Sequence, residues 1–416
     1  MFPKLQLKAF WFGIGSACLL SCSLIPLMVP SPVNTFSTSG LDSDKVLVET
    51  LHLNKQIPFP SGLAFHPIRK SLFVTSRSRD QRLIYEVEPQ TGQVREWKSG
   101  GSILPPTSYC PDFKSDVSVG FCSIPPIPPE DIPSIAIDSQ GHIFLSFTYS
   151  NLGLFSLVES KKSQIQQIKL VSPGSIENPI VSVFPSNDQS KFKDEPLNFN
   201  GIQAIALDTQ GHIFLIDGGN FLIRKIINNF VYNVVGYQSF KTEQDGQANE
   251  VVAFAPPLGL VVNQRGDIFL KSGQFSSTVR KISKDGQVST FADFQEQKNS
   301  VNFKNGTRTN AHFNLPTGIT IDQADNLYIS DTANRAIRKI TPEGVVSTLA
   351  GQASPNPTNT RVTPLLSSSS LIDGPGSEAR FASPIGLALD DQGGLYVADL
   401  GNQAIRRIKP IGEQKK

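Results

Sequence analysis

The chain has 416 residues, of which 39% are apolar and 18% charged, and its formal net charge is +2. A leader carrying Lys4 and Lys8 accounts for that charge, so the mature chain has a net charge of about zero, which argues against a basic surface for nucleic acid. At this length an ordinary single domain would be oversized. A fold that grows by repetition accommodates the chain as one domain behind a leader.

Residues 1–21 have the pattern of a secretion signal. Lys4 and Lys8 precede an apolar run, Ala9 to Leu20, that is short for a membrane span. An uncleaved anchor continuing through Val29 is an alternative. An ordinary secretory signal is another.

The end of this segment, Leu19-Leu20-Ser21-Cys22, resembles the lipobox of bacterial lipoproteins. The resemblance implies cleavage before Cys22, a diacylglycerol on its thiol, an acyl chain such as palmitate on the new amine, and anchoring at the cell envelope. Ser23 resembles the signal that directs such proteins to the outer membrane. Residues 22–44, rich in Pro, Ser and Thr, are predicted to form a flexible tether after the lipidated cysteine.

The segment from Lys45 to Leu53, KVLVETLHL, alternates like a β-strand. The repeat units that follow it provide no place for this strand, whereas the last unit lacks a fourth strand. We therefore predict that the segment pairs with Ala404 to Ile408 and closes a ring.

Six similar units follow, each with short apolar strands separated by polar turns. The residue that ends the first strand of each unit is His66, Asp138, Asp208, Asn263, Asp322 or Asp390. The units are Pro60 to Glu88, Pro133 to Val158, Gly201 to Ile226, Pro257 to Asp293, Pro316 to Gly351 and Asp373 to Ile408.

These units resemble the NHL repeat family of six-bladed β-propellers. The motifs that carry the resemblance are Pro-x-Gly before the first strand, an acidic turn, LYVAD, GN or AN, and IRKI followed by GVVSTLAG. The resemblance covers residues 45–410 and implies an all-β fold of six four-stranded sheets, the last one completed by the N-terminal strand. Residues 411–416 form a polar tail. We expect a monomer, and the fold by itself does not specify a function.

Long insertions fall in the links between units, so one end of the ring is predicted to be built from loops. In the first link, Cys110 and Cys122 are the only cysteines of the mature body, and an oxidising envelope would bridge them. Two free thiols are the alternative. A binding role at this loop-rich end, for a protein or a glycan partner, is the leading functional expectation.

Three Asp residues, Asp217, Asp331 and Asp399, precede Arg224, Arg338 and Arg406 by seven residues. Because the pair recurs in several units, it indicates a structural brace for the turn between the second and third strands rather than catalysis. The pairs are Asp217 with Arg224, Asp331 with Arg338, and Asp399 with Arg406. The DGQ, NGT and DGPG turns place Gly246, Gly306, Gly374 and Gly376 where a positive φ is expected.

Three units carry Ser76, Phe147 and Ser272 in place of this Asp, and their turns contain exposed Arg and aromatic candidates for an interface. Simple decay of the repeat is the alternative. The binding candidates are Arg77, Arg79, Tyr149 and Phe275.

The five histidines have no metal-ligand spacing, and no catalytic signature was found. Propellers that look like this one, such as gluconolactonase-like hydrolases, the peptide-amidating lyase and virginiamycin B lyase-like proteins, bind Ca²⁺ or Zn²⁺ near the axis. A metal-dependent hydrolase or lyase is therefore the alternative function, with Ca²⁺ at the channel mouth. Its donors would be Glu130, Asp131, Asn198 and Asn200, which lie just before first strands; otherwise no cofactor is expected.

Overall fold

The described part of the chain folds mainly into short strands, almost all of them paired antiparallel. The computed structural model describes residues 45–77, 82–97, 134–147, 164–168, 202–218, 221–227, 230–238, 245–247, 252–253, 257–272, 278–292, 303–307, 310–352 and 371–411. In this part of the chain, no helix is long and apolar enough to cross a membrane.

The strands of the first three repeat units, with the N-terminal strand, are β1 (Val46–Thr50), β2 (Pro60–His66), β3 (Ser71–Arg77), β4 (Arg82–Glu88), β5 (Gln93–Trp97), β6 (Ile135–Ile137), β7 (Ile143–Phe147), β8 (Gln164–Ile168), β9 (Ile202–Leu207), β10 (Ile213–Asp217), β11 (Leu222–Ile227) and β12 (Phe230–Gln238). Those of the remaining units and links are β13 (Gly246–Gln247), β14 (Val252–Ala253), β15 (Pro257–Val262), β16 (Ile268–Ser272), β17 (Val279–Ile282), β18 (Gln287–Ala292), β19 (Gly306–Thr307), β20 (Pro316–Ile321), β21 (Leu327–Asp331), β22 (Ala336–Ile340), β23 (Val345–Ala350), β24 (Gly374–Pro375), β25 (Pro384–Leu389), β26 (Leu395–Asp399) and β27 (Ala404–Pro410).

Each repeat unit forms one sheet. In chain order the sheets are β2-β3-β4-β5, β6-β7-β8, β9-β10-β11-β12-β14, β15-β16-β17-β18-β13, β20-β21-β22-β23-β19 and β25-β26-β27-β1-β24. The first strands contact one another in sequence, from β2 through β6, β9, β15 and β20 to β25, and β25 contacts β2. The sheets are therefore arranged radially, and the prediction of an all-β propeller is confirmed.

The prediction of six four-stranded blades is wrong as stated. Five sheets have four or more strands, whereas β6-β7-β8 has three within the described residues. Four of the five gain an outermost strand of two residues, which pairs with β12, β18, β23 or β1. Two paired residues have no hydrophobic period, so sequence patterning does not reveal them.

Closure by the N-terminal strand is confirmed. β1 pairs antiparallel with β27, with Val48 opposite Ile408 and Thr50 opposite Arg406. Val46 and Val48 are buried among apolar side chains of the last two units, including Leu349 and Val397. The outer edge of the last blade is thereby covered, and the ends of the ring are joined.

The glycine of the Pro-x-Gly motif is required where first strands meet. A Cβ on Gly318 would lie 2.0 Å from the carbonyl oxygen of Ile385, and one on Gly386 would lie 1.9 Å from that of Ser61. No side chain fits at these distances, so glycine allows adjacent first strands to approach closely around the axis.

The expectation of positive φ in the link turns is confirmed for Gly374, whose φ is 143°. It is wrong for Gly246, Gly306 and Gly376, whose φ is not positive; the first two lie in the extra strands β13 and β19. Glycine suits Gly306 because a Cβ there would lie 3.0 Å from the carbonyl oxygen of Asn310. Glycine is therefore favoured at position 306 by the close approach of the Asn310 backbone rather than by a positive φ.

Candidate functional site

One end of the ring, here called the insertion face, carries the links between blades together with the turns between second and third strands. The amide of Leu400 donates to the carbonyl oxygen of Ser383 at 3.0 Å, and that of Ala333 donates to Asn314 at the same distance. These bonds join a link to the adjacent turn. The predicted placement of both elements at one end is therefore confirmed for the last two units.

The three predicted Asp–Arg pairs form, and they are buried. Arg224 Nε lies 2.9 Å from Asp217 Oδ2, and Arg338 Nη1 lies 2.9 Å from Asp331 Oδ2. Burial raises the pKa of Asp331, while Arg338 and the backbone amide of Asn314 oppose that rise. In the last unit, Arg406 Nη1 lies 3.6 Å from Asp399 Oδ2.

Arg338 and Arg406 also hold the preceding link, a contact that was not predicted. Arg338 Nη2 donates to the carbonyl oxygen of Lys304 at 2.8 Å and to Asn305 Oδ1 at 2.9 Å. The same guanidinium lies over the rings of Phe303 and Phe313, at 4.5 and 4.8 Å. The long link before the fifth unit is thus fixed to the blade that follows it.

The pattern recurs in the last unit. Arg406 Nη2 donates to Asp373 Oδ1 at 2.7 Å and to the carbonyl oxygen of Ile372 at 2.8 Å. Asp373 also accepts hydrogen bonds from the backbone amide and the hydroxyl of Thr50 in β1, both at 2.8 Å. Although burial opposes it, these bonds and Arg406 hold the pKa of Asp373 below its ordinary value.

The sequence contains a signal for this link contact. An Asp or Asn followed by Gly stands 33 residues before Arg338 and Arg406, at Asn305 and Asp373. In the fourth unit Arg280 Nη2 lies 2.8 Å from Asp245 Oδ1, although Ser272 replaces the brace aspartate there. The arginine therefore keeps its link partner even where its turn partner is missing.

The axis of the ring is a cavity of about 360 Å³ lined by the first strands of all six units. Toward the insertion face its wall has small residues, including Gly62, Ser134, Gly318 and Gly386. Toward the opposite end it has larger apolar ones, such as Phe65. The lining of the described cavity contains no carboxylate and no histidine.

Two polar residues beside this cavity were missed by the sequence analysis. Gln203 lines it, and its Oε1 is buried without a hydrogen-bond partner among the described residues. Lys271, in β16, is 2% exposed, and burial lowers its pKa to about 7. A single polar residue near the end of an apolar run is typical of a strand end. The sequence therefore contains no signal that marks either residue as part of a site.

The predicted site residues fall mostly outside the described part of the chain. Arg77 ends β3, and the structure describes its backbone only. The others are Cys22, Arg79, Cys110, Cys122, Glu130, Asp131, Tyr149, Asn198, Asn200 and Phe275. Lipidation, the disulfide, the interface candidates and the metal donors stay predictions. No group of three or more potential metal ligands is found among the residues that the structure does describe.

The histidines of the opposite end belong to the first turns. His142 Nδ1 lies 2.8 Å from Asp138 Oδ2, and His212 Nδ1 lies 2.7 Å from Asp208 Oδ2. Burial opposes it, but hydrogen bonds from His212 hold the pKa of Asp208 below its ordinary value. Each ring thus braces its own turn.

The family model named NHL repeat matches residues 381–408. Among curated proteins, mouse teneurin-1 is 27% identical over 229 residues and zebrafish teneurin-3 is 26% identical over 222 residues. These matches cover 52% and 50% of this chain, but the chain spans only 8% of each relative's length.

Several solved structures have the same fold at low sequence identity. A protein of unknown function from Bacteroides thetaiotaomicron superposes with a TM-score of 0.55 at 19% identity, covering 88% of this chain and 76% of the other. A putative phosphatase from the same organism superposes with a TM-score of 0.57 at 15% identity, covering 89% of this chain and 79% of the other. An auxiliary nutrient binding protein from Bacteroides ovatus superposes with a TM-score of 0.52 at 15% identity, covering 88% of this chain and 77% of the other. At these identities the likeness establishes the fold alone.

Proposed function

We propose that this β-propeller, which carries a match to the NHL repeat at residues 381–408, is an envelope-anchored lipoprotein that binds a protein or a glycan through its insertion face. In this proposal the ring has six blades, with β6-β7-β8 in the second position. Cys22 carries the lipid, residues 22–44 form the tether, and Cys110 and Cys122 are bridged.

The observation that carries the proposal is the attachment of the insertion-face links to buried arginines. Arg280, Arg338 and Arg406 are essentially inaccessible, and each one holds a link residue by a charge-assisted or amide hydrogen bond. Loops fixed on a rigid ring are the usual place for recognition. The Bacteroides ovatus neighbour is an auxiliary nutrient binding protein, which is in keeping with a scaffold of this kind.

The surface is tested by comparing variants of the two ends in crosslinked envelopes. Removal of the Cys110–Cys122 loop should abolish recovery of the partner. The matched control reverses charges at the opposite end, where Lys70 pairs with Asp391 and Arg265 pairs with Asp325. Lys70→Glu with Arg265→Glu should leave recovery unchanged. Loss in the control with retention in the loop deletion would overturn the choice of surface.

The anchor is tested separately through the proposed lipidation site. Cys22→Ser should move the protein from the membrane fraction to the soluble fraction and abolish labelling by a palmitate analogue. Cys110→Ser is the control and should keep both properties. Membrane retention and labelling of the Cys22→Ser variant would contradict lipid anchoring at this position.

A further inference from the structure

Lys271 occupies a repeat position where the other blades have a small or an apolar residue. It lies opposite Gly259 in the pairing of β16 with β15. The equivalent residues in the other described sheets include Thr75, Ile216, Ser330 and Ala398. The other blades fold without a lysine at this position. The fold itself therefore does not explain why residue 271 is a lysine.

The environment of Lys271 is the interface between the fourth and fifth blades, next to the cavity wall. Gly259 lines the cavity, and a Cβ on it would lie 2.9 Å from Ile319 Cγ2 of the fifth blade, another lining residue. Lys271 shares this side of the sheet with Gly259, because residues that pair across antiparallel strands face the same way. Its side chain thus lies in the wall, one layer behind the cavity surface.

The lysine is without a counter-charge. No hydrogen bond or ion pair joins it to any described residue, and burial is the sole cause of its lowered pKa. Neither β15 nor β20 contains an ionisable residue. The ionisable residues of β17 and β21 have other partners: Arg280 with Asp245, Lys281 with Asp267, Tyr328 with Asp322, and Asp331 with Arg338.

A second buried polar group without a hydrogen-bond partner among the described residues lies on the neighbouring third blade. Gln203 lines the cavity from β9, the strand that contacts β15, and its Oε1 has no partner among the described residues. The wall on this side combines the apolar side chains of Leu258, Leu260 and Ile319 with the hydroxyls of Thr317 and Thr320. A cavity with apolar side chains, a few hydroxyls, one amide and one uncompensated amine at its edge matches a small molecule with a short apolar body and one anionic group.

We propose that Lys271 and Gln203 form a binding site in the central cavity for a small carboxylate with an aliphatic body. The flexible stem of the lysine carries its ammonium past Gly259 to the carboxylate, with a shift of the Ile319 side chain that packs against this glycine. The Gln203 amide donates the second hydrogen bond. The aliphatic part of the ligand packs against the first strands.

Binding at this site takes up a proton whenever the lysine is neutral beforehand. The carboxylate needs the ammonium form, so the apparent affinity should fall about tenfold for each pH unit above the pKa of the free site. Below that pKa the affinity should be constant until the ligand itself becomes protonated. This dependence distinguishes a lysine–carboxylate contact from simple insertion of an apolar molecule.

The test is calorimetric titration of the full-length protein with hexanoate at pH 6, 7.5 and 9, each in two buffers of different ionisation enthalpy. Saturable binding at pH 6, at least tenfold weaker binding at pH 9, and uptake of up to one proton at pH 9 are expected. Lys271→Met should weaken binding at pH 6 at least tenfold and remove the dependence on pH. Hexanol should bind both proteins equally.

The matched control is Lys284→Met, which removes an exposed lysine of the same blade and should bind hexanoate as the wild type does. Gln203→Leu should weaken binding without changing its dependence on pH. Absence of hexanoate binding at pH 6, or equal binding by Lys271→Met, would overturn the proposal. If the protein does not bind hexanoate but Lys271 condenses with hexanal, with loss of water, to an imine that borohydride reduces to a stable secondary amine, the proposal is also overturned, in favour of a nucleophilic amine.

Discussion

At the scale of single residues, the molecule contains two kinds of buried charge with opposite consequences. Asp331 and Arg338 are both fully buried and satisfy each other, as well as neighbouring backbone groups. Lys271 is equally buried and satisfies nothing among the described residues. Breaking the first arrangement leaves an unpaired buried charge and lowers the stability of the fold. The second arrangement lowers that stability as it stands, because its charge is already unpaired.

Removing one partner of the buried pair should destabilise the fold strongly. Asp331→Ala leaves a buried guanidinium without its carboxylate, and we expect unfolding to become easier by about 3–5 kcal/mol in urea titrations. Asp391→Ala is the control: its partner is Lys70, both side chains are about half exposed, and a change of at most about 1 kcal/mol is expected. Similar effects of the two substitutions would contradict the bracing role.

Removing the isolated charge of Lys271 should instead raise the free energy of unfolding. The pKa of Lys271 is lowered from 10.5 to about 7, so between these values the unfolded chain binds more protons and the free energy of unfolding rises with pH. Lys271→Met should therefore be more stable than the wild type by about 3–5 kcal/mol at pH 6. This difference should shrink toward pH 10. Urea titrations at both pH values measure it, and an unchanged or lower stability of the variant at pH 6 would contradict burial of the free amine.

At the scale of strands and turns, the repeated features were predictable and the single ones were not. The seven-residue spacing of Asp and Arg gave the braces because it recurs, and alternation in Lys45 to Leu53 gave the closing strand. The link contacts to Arg280, Arg338 and Arg406 come from Asp or Asn residues that stand 35, 33 and 33 positions earlier, beyond the first two strands of the blade. Neither local period nor turn chemistry reports such contacts.

The candidate site was the least predictable part for the same reason. Gln203 and Lys271 become neighbours of one cavity only because β9 and β15 are adjacent in the ring. In the sequence they are 68 positions apart, and each one is a single polar residue in an apolar run. Their unpartnered state depends on what packs around them, which no pattern within one strand specifies.

The close approach of first strands makes the Pro-x-Gly glycine the most sensitive element. Gly386→Ala would place a Cβ 1.9 Å from the carbonyl oxygen of Ser61, so the first and last blades must separate, and we expect a loss of about 3 kcal/mol or more. The control is Gly236→Ala in β12, where the nearest atom, Leu222 Cδ2, lies 3.6 Å away. Thermal unfolding compares the two variants. A tolerated Gly386→Ala would mean that the axis is looser than the structure indicates.

At the scale of the whole molecule, the ring is held where its two ends meet. β1 supplies Val46 and Val48 to the core of the last blade, and Thr50 contacts Asp373, which Arg406 also holds. One connected set of contacts therefore joins the N-terminal strand, the last blade and the link before that blade. A rigid insertion face depends on this closure, because an open ring would leave the link and its arginine free to move apart.

Amide hydrogen exchange of the N-terminal strand tests this closure most directly. If β1 is the outer strand of the last blade, peptides covering Val46–Thr50 should exchange as slowly as those covering Ala404–Pro410, and both should lose protection together when Asp373 is replaced by Ala. Rapid exchange of Val46–Thr50 beside a protected Ala404–Pro410 would contradict the closed ring on which the proposed binding face depends.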